Sequence, residues 1–185
     1  MGIKVITPPA APCTLAEARL QCKVDSDDTT HDTYFSTVLI PAALGYAEHY
    51  TNRAIGSQTL ELALDEFPAD SIELPRGPVT SITSITYVDT FEATQTLSNT
   101  LYTLDDYSTP CWAVPAVDTD WPNTLEIANA VKVRYVVGDL PSAVKSAILL
   151  HIELESPLNP HTPAEREAME CARDALLDTV KIWGF

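Results

Sequence analysis

The sequence predicts an α+β protein, a helical bundle built from both termini with a β-rich antiparallel insertion in the middle. Three observations predict it. Apolar residues recur at helical spacing before residue 56, the period changes to two from Ser57, and the helical period returns beyond Gly138. The expected boundaries are 1–56 and 138–185 for the helical body and 57–137 for the insertion.

The first element is announced by Thr14–Glu17 (TLAE), a capping box in which the threonine oxygen and the glutamate carboxylate satisfy each other's backbone donors. A short helix follows, expected to bury Leu15, Ala18 and Cys22. After the acidic turn DSDD, a longer helix from about Thr30 to Thr51 spaces Tyr34, Val38, Ala42, Tyr46 and Tyr50 along one stripe, widened by Phe35 and Leu39. All of the 14 prolines except Pro41 stand at element boundaries. Pro41 falls inside this helix, where it lacks a donor and crowds the preceding turn, so a kink near 38–41 or two shorter helices is expected.

In QTLELALDEF, Leu60, Leu62 and Leu64 alternate with polar neighbours, the pattern of a half-buried antiparallel strand. Further strands are expected at 71–74, 82–88, 101–104 and 112–114, and in AVKVRYVVG, where Val131, Val133 and Tyr135 oppose Lys132, Arg134 and Val136. Ile82 and Ile85 fall on opposite faces of a regular strand, which predicts a bulge or a late start near Ser84. Beyond Pro141, a helix carries Val144, Ala147, Ile148 and His151 or Ile152 on one face. The motif TPAE, Thr162–Glu165, opens a last helix that spaces Met169, Ala172, Leu176, Val180 and Trp183 and runs into KIWGF. Solenoid-period repeats and low-complexity tracts are not seen.

Composition narrows the function classes. The 185 residues carry 11 basic and 26 acidic side chains, a net charge of −15 that repels polyanions and disfavours a grip on DNA phosphates. Apolar runs fall short of the ~20 residues of a membrane helix, and the amino terminus lacks a secretory apolar core. A soluble chain, cytosolic where it is made, is expected. Cys13, Cys22, Cys111 and Cys171 form no C-x-x-C pair and are read as buried free thiols.

Catalytic signals are sparse. His31, His49, His151 and His161 lack metal-ligand spacing, and the glycine-rich phosphate cradles and the G-x-S-x-G elbow are absent. DSDD lacks the glycine and late glutamate of a calcium loop, so it and LDDY (104–107) are read as solvated turns. A Ser/His/Asp triad built from distant residues stays open, because triads are recognised in space. The aromatic end is read two ways, as the closing piece of a core or as an anchor for a partner.

IKVITPPA with TLAEA, the acidic turn before AEHYTNRAI, SQTLELALDEFP, IELPRGPVTSITSITYVD, NAVKVRYVVG with LPSAVKSAILLHI, and ALLDTVKIWGF occur in order along nearly the whole chain. As an ordered set they resemble the head-to-tail connector (adaptor, head completion) proteins of tailed bacteriophages and related gene transfer agents. Pro41 and the stretch ELESPLNPHTPAERE depart from the pattern. The resemblance implies a non-enzymatic virion protein at the head–tail interface, assembled in the host cytoplasm without cofactor or metal. Its implied partners are further copies in a ring, expected to be dodecameric, the portal protein, and a tail-side stopper or tail terminator. DNA would pass through the channel without specific binding, and no membrane is involved. Lys181, Ile182, Trp183 and Phe185 are the expected portal contact, and Tyr34, Val38, Tyr46, Ile82 and Tyr87 the expected subunit contacts. The alternatives are a small hydrolase or binding protein at the β insertion, using His49 or His151 with a carboxylate, or a tail or baseplate component.

Overall fold

The computed structural model describes residues 2–182 and shows a mixed helix and strand protein with antiparallel sheets. The chain divides into two compact units, Met1–Pro9 with Ser57–Gly138 and Ala10–Gly56 with Asp139–Phe185. Residues expected to open the helical body thus belong with the strands. Gly2–Thr7 forms β1, which pairs antiparallel with β2 (Gln58–Leu64). Every residue of β1 is exposed, so burial imposes no alternation on it and the period-two signal is missing from the sequence.

In the strand unit, β2 pairs with β8 (Val131–Val137), β8 with β4 (Val79–Val88), and β4 with β5 (Thr94–Thr96), giving the order β1-β2-β8-β4-β5. A second sheet runs β3 (Ile72–Leu74), β7 (Cys111–Pro115), β6 (Tyr102–Asp105). The alternation read from the sequence sets the faces. Leu60 and Leu62 of β2 and Val131, Val133, Tyr135 and Val137 of β8 are buried, as are Ile72, Leu74, Cys111 and Ala113 of the second sheet. Tyr135 stays in this interior because its hydroxyl donates to the Pro75 carbonyl at 3.1 Å, and burial raises its pKa well above the ordinary tyrosine value.

In the helical unit, α1 (Leu15–Gln21) starts with the expected capping box, Glu17 Oε2 accepting from the Thr14 amide at 2.8 Å. A continuous helix then runs through α2 (Asp32–Tyr34), a π-helical turn (Phe35–Leu39) and α3 (Ile40–Thr51). The π turn is how the chain accommodates Pro41. The Ile40 amide donates to Phe35, five residues back, and the widened turn makes room for a ring that would otherwise meet the Thr37 carbonyl. Asn52 ends α3 in the left-handed region at φ 55°.

Two helical stripes differ from expectation by one residue. Phe35, Leu39, Ala43 and Ala47 enter the core, while Tyr34, Val38 and Ala42 are exposed. The helix α4 (Ser142–Glu155) buries Val144, Ala147, Ile148 and Ile152 as its spacing requires. On α5 (Pro163–Asp178) the buried residues are Arg173 and Leu177, with Ala172 exposed and Leu176 only half-buried. Cys171 lies on the outer side of α5, so the reading of four buried thiols holds for Cys13, Cys22 and Cys111 alone.

Candidate functional site

Three helices bring four groups to a polar cluster inside the helical unit, one each from α3 and α4 and two from α5. Tyr46 of α3 stacks on His151 of α4 with ring centroids 4.4 Å apart and 18° between planes. The Arg173 guanidinium of α5 lies 4.2 Å from the centre of the Tyr46 ring, donates to His151 Nδ1 at 3.0 Å, and donates to Asp174 Oδ1 at 2.8 Å. Asp174 also accepts from the Tyr46 hydroxyl at 3.0 Å. An arginine only 7% exposed is tolerated here because its Nε and Nη1 both donate and its planar face lies against the Tyr46 ring. Burial opposes ionisation of Asp174, but the Arg173 and Tyr46 hydrogen bonds outweigh it and hold the carboxyl below its ordinary range. Burial, then Arg173, pushes the His151 pKa down.

The end of α3 also holds the residues that close and follow α5. Tyr50 donates to Asp178 Oδ1 at 2.9 Å, which raises the tyrosine pKa to about 12. Lys181 Nζ sits 4.3 Å over the Tyr50 ring, Arg53 Nη1 donates to the Val180 carbonyl at 3.1 Å, and the Ile182 amide donates to the Thr51 carbonyl at 3.0 Å. Residues 178–182 are therefore seated on the last turn of α3.

The strand unit presents two aromatic side chains on ordered turns. Asp89 Oδ1 accepts from the amides of Phe91 at 2.9 Å and Ala93 at 3.0 Å, and Phe91 is 88% exposed. Asp105 Oδ1 accepts from the Tyr107 amide at 3.1 Å and its Oδ2 from the Ser108 hydroxyl at 2.7 Å, and Tyr107 is 98% exposed. Hydrogen bonds, led by Gln95 for Asp89 and Ser108 for Asp105, hold both carboxyls below the ordinary range. Exposed aromatics on stiff turns are anchors of the kind that protein interfaces use. A cleft of about 570 Å³ also opens in this unit, lined by Asp65, Glu66, Asp120 and Glu126. Phe67 and Trp121 stack within its lining at 5.0 Å, and Trp121 is fixed by its Nε1 donation to the Asp70 carbonyl at 2.7 Å.

The residues singled out in the sequence occupy separate places. Tyr34 and Val38 are exposed on α2 and the π turn, and Tyr46 belongs to the cluster with His151. Ile82 is half-buried opposite Tyr135, and Tyr87 packs edge-on to Phe67 at 5.6 Å. Lys181 and Ile182 lie on the α3 terminus, and Trp183 and Phe185 lie outside the described residues. His49 is exposed, while the His151 Nδ1 faces a guanidinium where a triad base would face a carboxylate. Among the described residues no group of three or more His, Cys, Asp or Glu side chains is placed to hold a metal ion. Asp28 and Asp105 build turns, Asp28 accepting from the Thr30 amide at 2.9 Å. The Phe91 turn was not singled out in the sequence and Tyr107 entered only as part of the LDDY turn, although an aspartate two residues before each is a readable signal for a capped turn.

The chain matches no known family and no curated protein. Solved structures do resemble it in fold over its full length. A chain in the neck of an empty gene transfer agent particle, computed with C6 symmetry, aligns with TM-score 0.78 at 19% identity, covering 100% of this chain and 97% of that one. A chain from the virion of a native gene transfer agent particle gives TM-score 0.73 at 19% identity, with the same coverages. A chain in the neck of the native particle, computed with C12 symmetry, gives 0.69 at 20% identity. At these identities the likeness is one of fold.

Proposed function

We propose that this chain is a structural neck protein, a head-to-tail adaptor whose copies form a ring beneath the portal and continue the DNA channel towards the tail. The observation that carries the reading is the full-length likeness in fold to neck chains of gene transfer agent particles, at TM-scores up to 0.78 among the structures compared. In this reading the helical segments 14–55 and 141–183 pack neighbouring copies, with Tyr34 and Val38 available at the surface. The segment from Lys181 to Phe185 meets the portal, and the seating of Lys181 and Ile182 on α3 gives that contact a fixed direction. The strand unit supplies the tail-facing surface for a stopper or terminator, with Phe91 and Tyr107 as anchors. A net charge of −15 lets DNA pass without adhering. The adaptor has no catalytic step and uses no cofactor.

The test is to produce particles with and without the gene. Without it, filled heads should leak DNA and fail to join tails, and complementation in trans should restore both. Particles that lack the protein yet retain DNA and carry tails would overturn the reading.

A further inference from the structure

We propose that His151 is a pH-responsive lock on α5: neutral, it accepts the Arg173 guanidinium and holds α5 against α3 and α4, and protonation at Nδ1 releases that contact. The geometry fixes the tautomer. Arg173 Nη1 can only donate, so at 3.0 Å the His151 Nδ1 must be the acceptor and the ring proton must sit on Nε2. A proton added to Nδ1 removes the acceptor and sets an imidazolium against a guanidinium, both pressed on the face of Tyr46.

The charged groups around the ring come from three helices. From α5, Arg173 and Arg166 oppose the proton and Asp174 favours it, and Glu155 of α4 favours it too, yet burial with the arginines prevails. From α3, Tyr46 covers the ring and stacks in turn on Tyr50 at 6.0 Å. Glu170 of α5 acts on Arg173. The helix α1 reaches α4 through Glu17 with Lys145 and through Gln21 with Glu153, which lies two residues on and so on the other side of α4.

Because the folded state resists a proton that the opened chain accepts, acid favours opening. The lock is fully engaged above the ordinary histidine value of about 6.5 and weakens as pH falls through it towards the lower folded value. Asp174, held below its ordinary range, stays ionised across that window and does not confuse the readout. The effect would travel along α5 to Leu177 and to the Tyr50 contact with Asp178, and so to Lys181 and Ile182 on α3.

The inference is independent of the assembly role. Its test is amide hydrogen exchange on the full chain at about pH 7.5 and about pH 5, corrected for intrinsic rates, with an NMR titration of its 4 histidines. His151 should titrate below the ordinary value. Amides of Met169–Asp178 should lose protection about tenfold for each unit by which the folded value lies below the opened one. His151→Gln, which keeps an acceptor and does not titrate, should show equal protection at both pH values. If that variant does not fold, His151→Phe keeps the stack and should likewise lose the pH response. An ordinary or raised His151 titration, an α5 protection that ignores pH, or an equal loss in wild type and variant would each overturn the proposal.

Discussion

Ile82 of β4 stands opposite Tyr135 of β8, and Ile85, three residues further on, stands opposite Val133 on the same buried side. Two register shifts, at Val79/Ser81 and Ile82/Ser84, make this possible, so that Val79, Ile82, Ile85 and Tyr87 meet Val137, Tyr135, Val133 and Val131 in turn. Each bulge adds one residue to β4 and turns an odd spacing into a shared face. A stretch of small hydroxyl and β-branched residues suits the task, because the two inserted residues, Thr80 and Thr83, are exposed and do not fill the core. Ile85→Ala should therefore cost about 2–5 kcal/mol, as a fully buried truncation does, and the half-buried Ile82→Ala clearly less. Denaturant unfolding of the two variants checks the order, and an equal or larger cost at Ile82 would contradict the bulged register.

Arg173 is a charged residue in a core position, held by Tyr46, His151 and Asp174. Arg173→Ala should destabilise the protein by about 1.5–3 kcal/mol, the range for hydrogen bonds to charged groups. Arg173→Met keeps part of the packing and should cost less. Chemical denaturation with both variants measures the difference.

Glu17 accepts from Lys145 Nζ at 2.6 Å and from the Thr14 amide, and these hydrogen bonds, Lys145 first, lower its pKa to about 2. In the window between the ordinary carboxylate value of about 4.3 and that value, the folded state holds fewer protons than the unfolded chain, so stability falls as pH falls. Lys145→Met should flatten this dependence. Thermal melts across that range in the two proteins give the comparison.

Phe91 and Tyr107 touch little of their own chain, so Phe91→Ser with Tyr107→Ser should change stability by less than about 0.5 kcal/mol. If the strand unit faces the tail, the same double variant should lower the yield of tailed particles. Asp89→Ala and Asp105→Ala should act in the same direction by loosening the turns that present the rings. Counting tailed and tailless particles by electron microscopy tests both.

Truncation after Asp178 removes Lys181 and Ile182, which are seated on α3, together with the residues beyond them. In a pull-down from producing cells, the full chain should recover the portal protein and the truncated chain should not. Recovery by both would move the portal contact elsewhere on the surface, and recovery by neither would count against the adaptor reading.

Local signals decided much that was legible beforehand. The capping boxes at Thr14 and Thr162, the alternation in β2 and β8 and the irregularity near Ile82 all rest on interactions within a few residues or on a strict period of two. The exposed β1 and the short β5 carry no such period, since their pairing is dictated by partner strands 50 or more residues away for β1 and by the turn at Asp89 for β5.

What the sequence by itself determined is the kind and order of the main elements and a chemistry dominated by acidic charge, with the resemblance that pointed to a connector. Only the tertiary structure decided which of two adjacent stripes on α3 and α5 faces inward, how Pro41 is absorbed by a π turn, and that an arginine occupies a buried position. Periodicity locates a helical face only to within one residue, about 100° of rotation. That ambiguity is resolved when distant side chains arrive, as Tyr46 and His151 do at Arg173, to satisfy a charge that no local pattern would have placed inside.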